Sequence, residues 1–322
     1  MIETMKMSEM EVYNGEREVP NDFIEFWAMQ LALIQELPEY RMIEKNFFLK
    51  NASCFDFYFR GTNRSQIYAK VIFPKQKDNC PVIFHFHGYQ GRSSDWSEYL
   101  KFASEGYAVV AMDVRGQAGK SEDKGLFSGT TVKGQVIRGM REGPEHLFYK
   151  DIYLDVYTLI ELIATFPQVN SQRLMTYGAS QGGALAIVGG ALNRKISKIV
   201  AIYPFLSDFP RVIHLGQETE PYDELFRYFK FVDPLYDTQE KIFSTLDYID
   251  IKNFGSMISG QVKLVTGLRD DVCPPSTQFA FYNRVNSEKE QIILPEYGHE
   301  AMNVMVNDKI FNWLTESSIE EV

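Results

Sequence analysis

A chain of 322 residues, 45% hydrophobic and 24% charged, is long enough to bury a large core. Its formal charge of -10 and pI near 5.1 exclude a surface built for polyanions, which draws on clustered Lys and Arg, so nucleic acid is not an expected partner. Cys54, Cys80 and Cys273 are too scattered for a disulfide framework or a Cys-x-x-Cys metal site, and they fit a reducing cytoplasm.

The opening "MIETMKMSEMEVYNGEREVP" lacks the apolar core of a secretion signal, and the longest near-apolar run, residues 184–192, is far short of the roughly 20 that cross a bilayer. A soluble, cytoplasmic protein without membrane contact is expected. Asp22 and Glu25 are spaced as a capping box, and Ile24, Trp27, Leu31 and Ile34 follow at helical spacing until Pro38, which predicts an amphipathic N-terminal helix. Between residues 47 and 73, the alternating "CFDFYF" and "IYAKVIF" flank "RGTNRSQ", a hairpin pattern that starts the sheet antiparallel.

From there the rhythm is strand, loop, helix. "PVIFHFHG" and "YAVVAMDVRG" read as buried parallel strands, with a helix over residues 96–105 between them. Ile152, Val156, Leu159, Ile160 and Ile163 form a helical stripe, followed by the strands "RLMTYG", "KIVAIYPF", "QVKLVTG" and "EQIILPEYG" and a last helix over 303–314. This alternation predicts an α/β fold with a mostly parallel central sheet flanked by helices. Two segments interrupt it. Residues 118–145 form a long, glycine-rich connection of the kind that is functional or mobile. Residues 206–259, inserted after a strand's carboxyl end, are expected to form a partial lid over the ligand crevice of one domain spanning 1–322.

Within "LMTYGASQGGALAIVGGAL", Gly178, Ser180 and Gly182 match Gly-x-Ser-x-Gly. Three fixed positions are a weak signal alone. Here a strand ends in the motif and a small-residue helix follows, which is the turn that a nucleophile elbow requires; Gly183, Ala184 and Ala186 suit close helix–strand packing. A serine hydroxyl needs an imidazole to take its proton and a carboxylate to orient that imidazole. Of five histidines, His299 in "PEYGHE" follows the last strand, where an elbow enzyme places its base; His85, His87, His146 and His214 are less suitably placed. Asp270 and Asp271 both follow "QVKLVTG", giving the chain order Ser, Asp, His, and spacing does not separate them. Asp113 precedes the serine and reads as structural. The oxyanion needs preorganised N–H donors. Gln181, directly after the serine, supplies one, and Tyr89 in "HFHGYQG" is the candidate for the other.

These motifs, with "DFIEFW", Arg115-Gly116-Gln117, "VIRGM", "YPFLSDF", "DDVCPPSTQFAFYN" and "GHE", resemble carbohydrate esterase family 7, the acetyl xylan esterases and cephalosporin C deacetylases of the α/β-hydrolase superfamily. The resemblance spans nearly the whole chain. It implies Ser180 as nucleophile, His299 as base, Asp270 as acid, and Tyr89 and Gln181 as oxyanion donors, with Arg115 to Gln117 as scaffolding near the site. The chain departs from the family pattern at Ala179, where a glycine is usual, and in "AMNVMV" after Glu300. The implied activity is hydrolysis of acetyl esters of small carbohydrates, such as acetylated xylo-oligosaccharides, or of cephalosporin C-type acetates, through an acyl-enzyme with no metal and no cofactor. It also implies a hexamer whose sites face an internal cavity. A small acyl pocket lined by Tyr89, Pro204 and Phe205 is expected from their places at strand ends. The competing readings are a peptidase, long-chain lipase or broad carboxylesterase on the same fold, and a non-catalytic binder. The binder reading is disfavoured by the presence of serine, acid and histidine together.

Overall fold

The computed structural model describes residues 3–75, 77–127, 134–216, 218–301 and 305–316. Parts of the 118–145 connection, of "AMNVMV" and of the last expected helix lie outside these residues.

Short helix α1 (Met7–Met10) and helix α2 (Phe23–Ala32) precede the sheet. The buried face of α2 is Phe23, Phe26, Trp27 and Gln30, whereas Ile24 is 65% exposed. The expected face is therefore corrected, and the capping box with it: Asp22 makes no side-chain cap, because its carboxylate accepts from the Tyr248 hydroxyl at 2.5 Å. Aromatic contacts decide the rotation of the helix. Phe23 and Trp27 pack on Phe254, Phe26 packs on Tyr248, and Trp27 Nε1 donates to the Tyr248 carbonyl.

Strands β1 (Tyr40–Glu44), β2 (Ala52–Arg60) and β3 (Gln66–Pro74) run antiparallel, the last two joined by the short turn Thr62–Arg64. Strand β4 (Cys80–Phe86), the helical stretch Trp96–Tyr99 with α3 (Leu100–Ser104), and β5 (Ala108–Met112) follow. Then come α4 (Phe148–Ala164), β6 (Val169–Ala179), α5 (Gln181–Leu192) and β7 (Ile196–Ile202). The segment between β7 and β8 (Gln261–Gly267) carries α6 (Phe209–His214), α7 (Asp223–Phe231), α8 (Gln239–Leu246) and the 3-10 stretch Ile251–Met257. Helix α9 (Pro275–Asn283), β9 (Lys289–Leu294) and α10 (Val306–Thr315) complete the order.

The described strands form one sheet ordered β1-β2-β3-β5-β4-β6-β7-β8-β9, antiparallel up to the β3–β5 pair and parallel from β5 onward. This is the α/β-hydrolase arrangement. From β4 the chain steps to β5 on one side and then returns to β6 on the other, so the carboxyl ends of β4 and β6 flank a switch point, where ligands bind in open α/β sheets. One apolar layer unites α2, α4, α5 and the apolar residues of α6 to α8 on one face, and a smaller one unites α3 with α10 on the other. Every residue of α5 is buried, which its glycines and alanines permit.

Candidate active site

The elbow is built by close backbone contact. Ser180 sits at φ 56°, ψ -121°, a left-handed conformation that an L residue adopts at a strain of about 1–3 kcal/mol. Its N–H donates to the Ile202 carbonyl at 2.9 Å and its carbonyl accepts from Phe205 N at 3.1 Å, so β7 on the neighbouring side holds the turn. A Cβ on Gly178 would lie 2.4 Å from the Gly182 backbone, and one on Gly182 would lie 2.0 Å from the Phe86 carbonyl oxygen. Only glycine fits at both positions.

Ser180 Oγ stands 3.0 Å from His299 Nε2, and His299 Nδ1 stands 2.9 Å from Asp270 Oδ2. A carboxylate only accepts, so the imidazole proton sits on Nδ1 and leaves Nε2 free to accept from the serine hydroxyl. Asp270 is 4% exposed and is held in turn by the N–H groups of Val272 and Cys273 at 2.9 and 2.7 Å and by Gln278 Nε2 at 3.3 Å. Asp271 is exposed and its carbonyl accepts from Thr219, so the structure separates two aspartates that spacing leaves equal. Tyr203 packs its ring 4.5 Å from the His299 ring, and burial, then the nearby Asp270 charge, pushes its phenol up to about 12.

The loop after β4 is pinned at one peptide. The Gly88 carbonyl accepts from His87 Nδ1 at 2.7 Å, from Gly91 N at 3.1 Å and from Gln181 Nε2 at 3.4 Å. His87 Nε2 accepts from Val114 N at 2.9 Å, which fixes the tautomer that donates through Nδ1, and burial lowers the imidazole's pKa. Because C=O and N–H of a trans peptide point in opposite directions, pinning Gly88 O aims the Tyr89 N–H the other way. Gln181 opens α5, and the first N–H groups of a helix have no intrahelical partner. Its side chain is wholly buried, with Oε1 accepting from Tyr149 OH at 2.8 Å and from Gln117 Nε2 at 2.7 Å.

Arg115 is fully buried and bonds Asp155 through Nε and Nη2 at 2.6 and 2.7 Å, while Gln117 reaches Gln181, in keeping with scaffolding by this Arg-Gly-Gln stretch. Of the three residues expected to line an acyl pocket, Tyr89 is partly exposed, but Pro204 is buried and Phe205 is 0% exposed. The Phe205 ring makes edge contacts with Tyr89 at 5.8 Å and Tyr222 at 4.7 Å. Sequence reasoning misses Tyr203, which packs on the His299 ring, and Gln278, which bonds Asp270 and lies within a family motif. Burial pushes the Cys273 thiol up, and the neighbouring Asp270 adds to the shift. Among the described residues no group of three His, Cys, Asp or Glu side chains is arranged to hold a metal ion.

The family model for acetyl xylan esterase (AXE1) matches residues 1–317. The chain belongs to the acetyl xylan esterase family. It is 38% identical to acetyl xylan esterase 1 from Thermoanaerobacterium sp. JW/SL YS485, with 97% of this chain and 98% of that one superimposed at a TM-score of 0.94. An acetyl xylan esterase from Paenibacillus sp. R4 is 30% identical and covers 96% of this chain and 99% of its own at a TM-score of 0.92. The acetyl esterase Axe7A of Xylanibacter ruminicola is 25% identical over 287 residues, 87% of this chain but 63% of that longer protein, so the chain spans less than two thirds of this curated relative. Among the described residues, no helix of this family member is long and apolar enough to cross a membrane.

Proposed function

We propose that this protein is a serine esterase that removes acetyl groups from small acetylated carbohydrates, with xylo-oligosaccharides as the substrate class and cephalosporin C-type acetates as permissive alternatives. The observation that carries this reading is the hydrogen-bonded line from Ser180 through His299 to Asp270, in a chain of the acetyl xylan esterase family.

Ser180 Oγ attacks the acetyl carbonyl while its proton passes to His299 Nε2, and Asp270 stabilises the imidazolium that forms. The carbonyl oxygen becomes an oxyanion held by the N–H groups of Tyr89 and Gln181. His299 then gives the proton to the leaving sugar oxygen, the C–O bond breaks, and an acetyl-serine remains. A water then attacks the acetyl carbonyl as it loses a proton to His299, and His299 returns that proton to Ser180 Oγ as the C–Oγ bond breaks, which releases acetate and restores the free serine. No metal or cofactor takes part in this sequence. Tyr89, backed by Phe205 and with Pro204 beside the turn, keeps the acyl pocket short. We read the 322 residues as one domain in which 206–259 act as a partial lid, working in the cytoplasm as a hexamer.

The test is hydrolysis of p-nitrophenyl acetate against the octanoate, with acetate release from acetylated xylo-oligosaccharides alongside. The acetate ester is expected to react more than about tenfold faster, given what a few methylenes are worth in a pocket of fixed depth. Ser180→Ala is expected to abolish turnover; a folded Ser180→Ala protein that keeps its activity overturns the assignment.

A further inference from the structure

A second set of polar groups lies behind the site, and the ester chemistry leaves it without a role. Glu224 on α7 is 0% exposed, yet it touches neither Ser180, His299 nor Asp270 in the hydrogen-bonded line described above. Its Oε1 accepts from the backbone N–H groups of Gln135 at 2.8 Å and Val136 at 2.6 Å, and Oε2 is 3.5 Å from that of Ile137. The carboxyl group occupies the space of an absent side chain: a Cβ on Gly134, which has φ +112°, would lie 2.1 Å from Glu224 Oε2. A residue from the segment between β7 and β8 thereby fixes residues 135–137 of the 118–145 connection.

The connection then passes the constraint inward. Gln135 Oε1 accepts from Gln117 Nε2 at 2.7 Å, and Gln135 Nε2 donates to the Gly116 carbonyl at 3.2 Å. Gln117 and Gln181 exchange amide hydrogen bonds at 2.7 and 3.0 Å. Gln181 Nε2 also lies 3.4 Å from the carbonyls of His87 and Gly88, the peptide whose pinning aims the Tyr89 N–H. One buried polar chain therefore runs Glu224, Gln135, Gln117, Gln181, Gly88. It ends on both peptides that donate to the oxyanion.

We propose that Glu224 is a positioning residue for the oxyanion site, acting through Gln135 and Gln117 on the side chain of Gln181. This rests on the esterase reading above. The buried amides have few alternative partners, so a change at one end is felt at the other as a shift in donor direction, and such shifts act on the transition state more than on substrate binding.

The experiment measures kcat and KM for p-nitrophenyl acetate per active site, the sites being counted by fluorophosphonate labelling of Ser180. Glu224→Leu, Gln135→Leu and Gln117→Leu are each compared with wild type, together with the Glu224→Leu/Gln117→Leu pair. Each single variant is expected to lower kcat per labelled site roughly 10- to 100-fold with KM within about twofold, as a misplaced donor does. Glu224→Gln, which keeps an acceptor oxygen, is expected to recover most of the loss. The double variant is expected to fall no further than the worse single variant, because both cut one chain. Gln135→Leu leaves the Glu224 carboxyl group in place and carries the test if Glu224→Leu does not fold. Wild-type kcat per labelled site in the leucine variants, with losses confined to melting temperature or to the labelled fraction, overturns the proposal, as do losses that multiply in the double variant. Either outcome leaves wild-type activity and Ser180 labelling intact, whereas failure of the esterase reading removes both.

Discussion

Asp270 accepts the Nδ1 proton of His299 at 2.9 Å from a buried position, while Asp271, its neighbour in the chain, is exposed. The turn after β8 decides this. The N–H groups of Val272 and Cys273 both converge on Asp270 Oδ1, which holds that carboxylate inward and leaves Asp271 outside.

The first prediction follows from this difference. Asp270→Asn replaces an acceptor by a group whose NH2 favours the wrong imidazole tautomer, so kcat on p-nitrophenyl acetate is expected to fall by about 10⁴ with the fold intact. Asp271→Asn is expected to stay within about twofold of wild type, as surface substitutions do. Comparable losses in the two variants would remove Asp270 from its place in the relay.

A second prediction concerns the elbow. Gly182→Ala would set a Cβ 2.0 Å from the Phe86 carbonyl oxygen, and because both sides are backbone of packed elements neither yields cheaply. The variant is expected to lose about 3 kcal/mol or more in urea unfolding, the upper range of overpacking, and to label poorly with fluorophosphonate. Gly88→Ala is the control, since a Cβ there meets nothing within 4 Å. A Gly182→Ala protein as stable as wild type would contradict the packing described for the β6–α5 turn.

The elbow is legible in the sequence because its constraint is local: a strand, two glycines in backbone contact and a helix of small residues lie within one short stretch. His299 is legible because chain order and strand ends locate it. Asp270 stands apart from Asp271 only by family resemblance, since what separates them is the direction of two N–H groups, which spacing does not encode. β1 leaves no signal because it is an edge strand with four of its five residues exposed, so no apolar alternation marks it. The face of α2 is misread toward Ile24 because contacts with Phe254 and Tyr248, far along the chain, set its rotation. Gln135 and Glu224 are illegible for the same reason. A glutamate on an amphipathic helix reads as solvent-facing until the loop that covers it is in place.

A third prediction addresses Arg115. Its guanidinium is wholly buried against Asp155, whose carboxyl burial pushes up to about 6 although the arginine opposes the shift. Arg115→Met leaves an uncompensated buried carboxylate and is expected to lower stability by about 3–5 kcal/mol in urea unfolding. Arg115→Lys is expected to recover only part of this, because one ammonium does not reproduce the Nε and Nη2 bonds to both Asp155 oxygens. Full recovery by lysine would show that charge alone matters there.

The last prediction is a pH dependence of stability carried by Glu224. Burial pushes its carboxyl up to about 8, against the opposing effect of the N–H groups of Val136, Gln135 and Ile137, and Asp223 on the same helix adds to the rise. The phenols of Tyr89 and Tyr149 face it from the loop after β4 and from α4, and burial raises both well above the ordinary phenol value. The unfolded chain releases the Glu224 proton near 4.5, whereas the folded protein holds it to about 8. Between these values the folded state binds more protons, so raising the pH lowers stability through that window and has no further effect above it. Glu224→Gln cannot ionise, and other groups titrate alike in both proteins, so they drop out of the difference. The Tm of Glu224→Gln minus that of wild type is therefore expected to increase from pH 5 to pH 8 and then level off. A difference that stays flat across this range, or shrinks as the pH rises, would mean that Glu224 is already ionised in the folded protein at neutral pH.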